Sequence, residues 1–168
     1  MKQKYRKAVF VVVYRKQRKG NKISYLILKR KLHWKGWEFS KGGIKNKENL
    51  SQAVIREVKE ETGQKPIRIK RFKEKGRYEY QKGWLGHPGY FGQTYVLFSA
   101  EIKNKKIKID KKEHSGYKWL EFNRARRILQ FQNQKKCLNI VNKEVRNEQC
   151  MERCRKRYRD AWRKIKCC

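Results

Sequence analysis

Four of the chain's 13 glutamates, Glu48, Glu57, Glu60 and Glu61, fall within 14 residues, in a 168-residue sequence with only 15 acids against 48 Lys and Arg. Glu57, Glu60 and Glu61 are spaced i, i+3 and i+4, so a helix would carry them at neighbouring positions of one face. Like charges so arranged weaken a helix, and ordinary i,i+4 salt bridges do not use this pattern. A hard divalent cation reverses the repulsion, because Mg²⁺, or Mn²⁺ in its place, takes oxygen ligands and keeps several waters. The competing reading is a solvated face neutralised by Lys45, Lys47, Arg56 and Lys59.

The spacing of the wider stretch favours the metal. From Gly42 to Gln64 the residues follow G-x5-E-x7-R-E-V-x-E-E-x-G-Q. This resembles the Nudix box, whose fixed positions all match except that Gln64 stands where the last aliphatic residue belongs. The resemblance implies a Nudix α/β/α sandwich with a mixed sheet over about residues 5–145. It also implies a loop–helix–loop around divalent ions that hydrolyses a nucleoside diphosphate linked to another group. Glu57, Glu60 and Glu61 would then be metal ligands, with the Gly42 carbonyl completing the coordination shell. Glu48 and Arg56 would stand behind them, Arg56 pairing with a carboxylate to fix its rotamer. The metal would bridge phosphate oxygens and lower the pKa of a bound water, which attacks phosphorus in line.

Two further stretches narrow the resemblance. Trp37-Glu38-Phe39-Ser40-Lys41-Gly42-Gly43 is similar to the lead-in of diadenosine tetraphosphate hydrolases and RNA pyrophosphohydrolases, with Ser40 in place of the usual Pro. Lys41 would there reach a substrate phosphate. Glu113-His114-Ser115-Gly116-Tyr117-Lys118-Trp119-Leu120, followed by Phe131, resembles the asymmetric diadenosine tetraphosphate hydrolases. Glu113 is a candidate further metal ligand or general base. Phe131 and Tyr80 are candidates for stacking a nucleobase, the alternative for each being core or rim packing. The histidines His33, His87 and His114 form no metal spacing and receive no catalytic role.

These groups must be held by an α/β framework. Residues 8–15 and 24–30 read as strands, the first buried on both faces, with a basic turn at Gly20-Asn21 between them. Residues 31–49 read as loop around a short Trp37-Glu38-Phe39 segment. A helix over about 50–62 ends at Gly63, which suits a left-handed cap. Residues 66–81 read as a strand pair broken near Lys75-Gly76. Residues 82–92, with Trp84, Tyr90 and Phe91, read as a loop that is either a substrate lid or a plain surface loop. Strands follow at 94–102 and 117–120, then helices at 123–129 and 134–145. Helices on both sides of a mixed sheet give an α/β/α sandwich. A Nudix hydrolase domain at 1–145 and a basic helical tail at 146–168 complete the expected organisation.

Composition excludes several classes. The longest apolar run, Ala8 to Tyr14, is far short of the roughly 20 residues a membrane span needs. The 21 aromatic residues can fill a core despite the net charge of +33. A soluble, cytoplasmic protein with polyanionic partners is expected, a nucleotide substrate first and RNA through the basic surface and tail. Five cysteines without an export signal argue against a disulfide framework. Cys150, Cys154, Cys167 and Cys168 have the number but not the spacing of a zinc site, so a basic helix lying on RNA or on the enzyme is preferred. The leading functional expectation is Mg²⁺-dependent cleavage of diadenosine tetraphosphate to ATP and AMP. Removal of pyrophosphate from 5′-triphosphorylated RNA comes second, and a non-catalytic RNA-binding module third.

Overall fold

The computed structural model describes residues 4–17, 22–32, 34–80 and 87–165, with side chains up to Arg159. The Gly20-Asn21 turn, His33, Trp84, Cys167 and Cys168 lie outside the described residues. Strand β1 (Tyr5–Lys16) is the spine of a seven-stranded mixed sheet. It pairs in parallel with β6 (Gly92–Glu101) over ten residues, Tyr5↔Gly92 to Tyr14↔Glu101. On its other side it runs antiparallel to β2 (Ile23–Arg30) and to β4 (Ser40–Gly43). Strands β3 (Gly36–Glu38) and β7 (His114–Leu120) flank β2, and β5 (Arg68–Glu79) forms the edge beyond β6.

Alternation along β1 divides the core into two layers. Phe10, Val12 and Tyr14 pack beneath α2 (Phe122–Ile128) and the start of α3 (Gln132–Ile165), through Ala125, Cys137, Leu138, Val141 and Val145. Val9, Val11 and Val13 pack on the opposite face beneath α1 (Leu50–Thr62), through Ala53, Val54 and Val58. The sandwich expected from element order is the fold observed. Among the described residues no helix is long and apolar enough to cross a membrane.

Several boundaries differ from the sequence reading. Residues 40–43 form a strand rather than loop, because neighbouring β1 supplies a ladder that glycines would not form alone. Residues 68–79 are one strand, not two, and a register shift between Arg71 and Lys75 absorbs the irregularity. Strand β7 begins at His114 rather than Tyr117. Helix α3 runs unbroken for 34 residues through position 145.

Candidate active site

Helix α1 is fixed at both ends by its own sequence. Asn49 Oδ1 accepts from the Gln52 N–H at 2.9 Å, and Gln52 Oε1 accepts from the Asn49 N–H at 2.9 Å, a reciprocal capping box. Gly63 closes the helix at φ 69°, donating its N–H to the Lys59 carbonyl at 2.8 Å. The glutamate-bearing turns are therefore held against β4. The approach is close: a Cβ at Gly42 would fall 1.8 Å from Glu57 Cδ, and one at Gly43 would fall 2.0 Å from Arg6 Nη2.

Arg56 organises the carboxylates. Its Nε and Nη2 donate to the two oxygens of Glu48 at 2.8 and 2.9 Å, and Nη2 also donates to the Gly43 carbonyl at 2.8 Å. Its Nη1 donates to Glu57 at 2.5 Å and to Glu60 at 3.0 Å. The Lys45 N–H adds a 3.0 Å bond to Glu48. These donors, Arg56 first, pull the Glu48 carboxyl down to about 2. Glu48 and Arg56 are thus locked to each other and, through Arg56, to the end of β4.

Glu57 and Glu61 behave differently. Burial raises the Glu57 carboxyl; Arg56 offsets part of this, while the charges of Glu60 and Glu113 add to the rise. Glu61 is 5% exposed and its Oε2 has no hydrogen-bond partner. Burial pushes its carboxyl well up, and Glu57, Glu38 and Glu113 push the same way. The Ser40 hydroxyl offsets some of that rise without making a hydrogen bond of good geometry. Glu60 is half exposed and is shared between Arg56 and Lys45. Among the described residues no three acid, His or Cys groups converge on one point, since Arg56 stands between Glu57 and Glu60. The donor set nonetheless fits a hard divalent cation: oxygen ligands only, mutually repelling, with one buried carboxylate oxygen unpaired.

Glu113, just before β7, reaches the same patch and receives Arg30 Nη1 at 2.6 Å. Arg30 Nη1 also donates to Glu38 at 3.3 Å. Glu38 is 1% exposed and has the Lys41 ammonium at 2.5 Å and His114 Nε2 at 3.8 Å. Burial pulls the Glu38 carboxyl up, but Lys41, His114 and Arg30 together outweigh it and hold it below its usual value. Lys41, expected to face a phosphate, here rests on Glu38, with its ammonium 5.6 Å from the Trp34 ring centre. Phe131 is 45% exposed and meets Trp34 edge-on at 5.1 Å. Tyr80 sits elsewhere, just past the end of β5, donating to Gln93 Oε1 at 3.2 Å with its ring 5.9 Å from that of His87. The two expected base-stacking residues therefore have separate surroundings. Of the expected lid, Tyr90 and Phe91 are described: Lys4 lies over the Tyr90 ring, and Phe91 meets Tyr5 edge-on at 5.9 Å.

Sequence reasoning missed Arg30, Glu38 and Trp34. Glu38 stood inside the quoted Trp37–Gly43 stretch, but only the fold brings Arg30, Lys41 and His114 around it.

The NUDIX domain model matches residues 4–139. The chain belongs to the NUDIX family. A protein named RNA pyrophosphohydrolase from Nitratiruptor sp. is 32% identical over 127 residues, 72% of this chain and 81% of its own length. Another of that name from Hydrogenovibrio crunogenus is 29% identical over 113 residues, 61% of this chain and 68% of its own length. An Ap4A hydrolase of C. elegans, solved as a binary complex, superposes with a TM-score of 0.69 at 24% identity, covering 84% of this chain and 98% of its own. That last likeness speaks for the fold alone. The protein is a Nudix hydrolase.

Proposed function

We propose that this Nudix hydrolase removes pyrophosphate from the 5′-triphosphate end of RNA in a Mg²⁺-dependent reaction. The observation that carries the chemistry is Glu61, buried beside Glu57 with an unpaired oxygen, its carboxyl pushed well up by burial and by the acids around it, a penalty that a bound cation would relieve. Glu57, Glu60, Glu61 and the Gly42 carbonyl would hold the cation. When bound, it supplies a lowered water pKa and offsets charge on the phosphate oxygens. Arg56 keeps the Glu57 and Glu60 carboxylates in place, and Glu48 keeps Arg56 in place. Glu113, steadied by Arg30, accepts the proton of the attacking water. Water adds to phosphorus, the anhydride bond breaks, and pyrophosphate leaves an RNA 5′-monophosphate. The relatives named RNA pyrophosphohydrolase support this substrate over the dinucleotide that the motifs rank first.

A second reading, diadenosine tetraphosphate cleaved to ATP and AMP, is favoured by the exposed Phe131 beside Trp34, a ready surface for a base. One experiment separates them: product release from 5′-triphosphorylated RNA and from diadenosine tetraphosphate, with and without Mg²⁺, in wild type and Glu60→Gln. Faster pyrophosphate release from RNA, lost in the variant, is expected. Faster release of ATP and AMP moves the assignment to the dinucleotide, and no Mg²⁺-dependent product from either overturns both.

A further inference from the structure

Helix α3 leaves the body of the fold partway along its length. Among the described residues its buried positions end at Glu148 and Gln149, and residues 150–159 are all exposed. Glu152 pairs with Lys16 of β1 at 3.4 Å. Beyond that pair come Arg153, Arg155, Lys156, Arg157 and Arg159, five basic residues in seven. Arg146, Arg153 and Arg157 are related as i, i+7 and i+11 and share one face of the helix. At 1.5 Å per residue they advance about 17 Å.

This row continues a groove of about 420 Å³ between α3, α2 and the start of β2, whose lining includes Lys22, Glu121, Asn142, Arg146, Gln149 and Arg153. Glu121 is neutralised by Lys22 at 3.4 Å, and Asn142 accepts from the Tyr25 hydroxyl at 2.9 Å, so the α3 wall sets the sign of the groove. A general lysine habit of the chain does not account for this wall. Across the whole sequence Lys outnumbers Arg 31 to 17, whereas positions 146–159 hold five Arg and one Lys. Arg is the cation that grips phosphate bidentately and stacks on bases. Tyr158, 69% exposed, adds an aromatic ring to the row.

The groove lies at the opposite end of the sheet from the active site. Gly42 pairs with Val9 of β1, whereas the groove borders the Lys16↔Ile23 end. Seven residues at about 3.3 Å each put roughly 23 Å between them. A mononucleotide cannot touch both; a strand of about seven nucleotides or more can, at 3.4 Å per step. A membrane surface fits poorly, because residues 151–159 carry only Met151 and Tyr158 as large apolar groups and no apolar face.

From this geometry we infer that the groove and the outer part of α3 form a docking surface for the body of an RNA strand whose 5′ end is in the active site. The inference rests on the reading of the substrate as 5′-triphosphorylated RNA. Its test uses a 20-nucleotide RNA with a 5′-hydroxyl, which offers the catalytic site no triphosphate. Binding of the full chain is measured across a salt series for wild type, for Arg146→Gln/Arg153→Gln/Arg157→Gln, and for Arg155→Gln/Arg157→Gln/Arg159→Gln, whose positions are all exposed and keep the fold if the first set does not. Each triple substitution is expected to weaken binding at least tenfold. It should also reduce the slope of log affinity against log salt by about two, three phosphate contacts at roughly 0.7 each. Unchanged affinity and slope in both variants overturn the docking surface, as does capture by phosphatidylserine vesicles without RNA binding. Pyrophosphate release from triphosphorylated RNA without binding of the 5′-hydroxyl strand overturns the surface and leaves the catalytic reading intact. Binding lost in the variants, with no pyrophosphate release by wild type, has the reverse meaning.

Discussion

On α1, Arg56 alone meets Glu48, Glu57, Glu60 and the Gly43 carbonyl, whereas the outer turns of α3 present Arg155, Lys156, Arg157 and Arg159 to solvent. The two helices use charge in different ways. Around α1, Arg56 places Glu48, Glu57 and Glu60, and the acids, Glu61 buried among them with an unpaired oxygen, outnumber the cations that meet them, which suits one small cation. Beyond Glu152, α3 carries a positive surplus spread along an exposed rod, which suits a long anion. Internally matched charge fixes geometry, because a carboxylate held by a bidentate Arg has little freedom. Exposed charge gives salt-sensitive attraction at a distance.

The sharpest way to break this contrast is Glu61→Gln. The substitution keeps shape and removes the buried carboxyl that would ligate the metal, so metal-dependent product release should fall by about a thousandfold, the several kcal/mol of charge stabilisation that a metal centre supplies. Thermal unfolding should move upward or stay put, since an unpaired buried carboxylate costs stability. Activity within tenfold of wild type would remove Glu61 from the ligand set. A large drop in melting temperature would show that its charge is structural.

Arg56→Lys probes the next level. A lysine ammonium cannot hold both Glu48 oxygens while reaching Glu57, Glu60 and the Gly43 carbonyl. Turnover should fall by about 10- to 100-fold, as for other groups that orient metal ligands. The fall should appear in kcat, with RNA binding through α3 unaltered, and comparison of kcat with 5′-hydroxyl RNA affinity checks this. Loss of both together would show that the two regions are not independent.

The same contrast explains what could be read from the sequence. Helix α1 was legible because its stop is local, Gly63 closing it in the left-handed conformation. The Glu57–Glu61 pattern was legible because its spacing is itself the chemistry. Strand β4 was not, since Lys41-Gly42-Gly43 has no strand propensity and is extended only by pairing with β1. The part played by Glu38 needs Arg30, Lys41 and His114, which come from three elements and converge only in the fold. Reading α3 by apolar periodicity stops at Val145, the last buried apolar residue among those described. The helix continues on the propensity of Arg, Lys, Glu and Gln, which needs no buried face.

The smallest effect tests how α3 is attached. Lys70 on β5 places its ammonium 2.5 Å from Glu144 and 2.9 Å from Glu148, both on α3. Glu144 and then Glu148 raise the Lys70 ammonium above its usual value. A group raised in the folded state contributes stability below its unfolded pKa, and that contribution disappears as pH climbs through the folded value. The contribution should thus be complete at neutral pH and fade in the alkaline range above about 10. Lys70 is more than a third exposed, so solvent screening keeps the contribution small. Lys70→Met should cost about 0.5 kcal/mol or less at neutral pH, shrinking further in high salt, with turnover unchanged. Chemical denaturation at low and high salt measures this. A cost of several kcal/mol would mean that α3 is held to the sheet by these ion pairs, and not by Cys137, Leu138, Val141 and Val145, whose burial already accounts for the seating of its inner half.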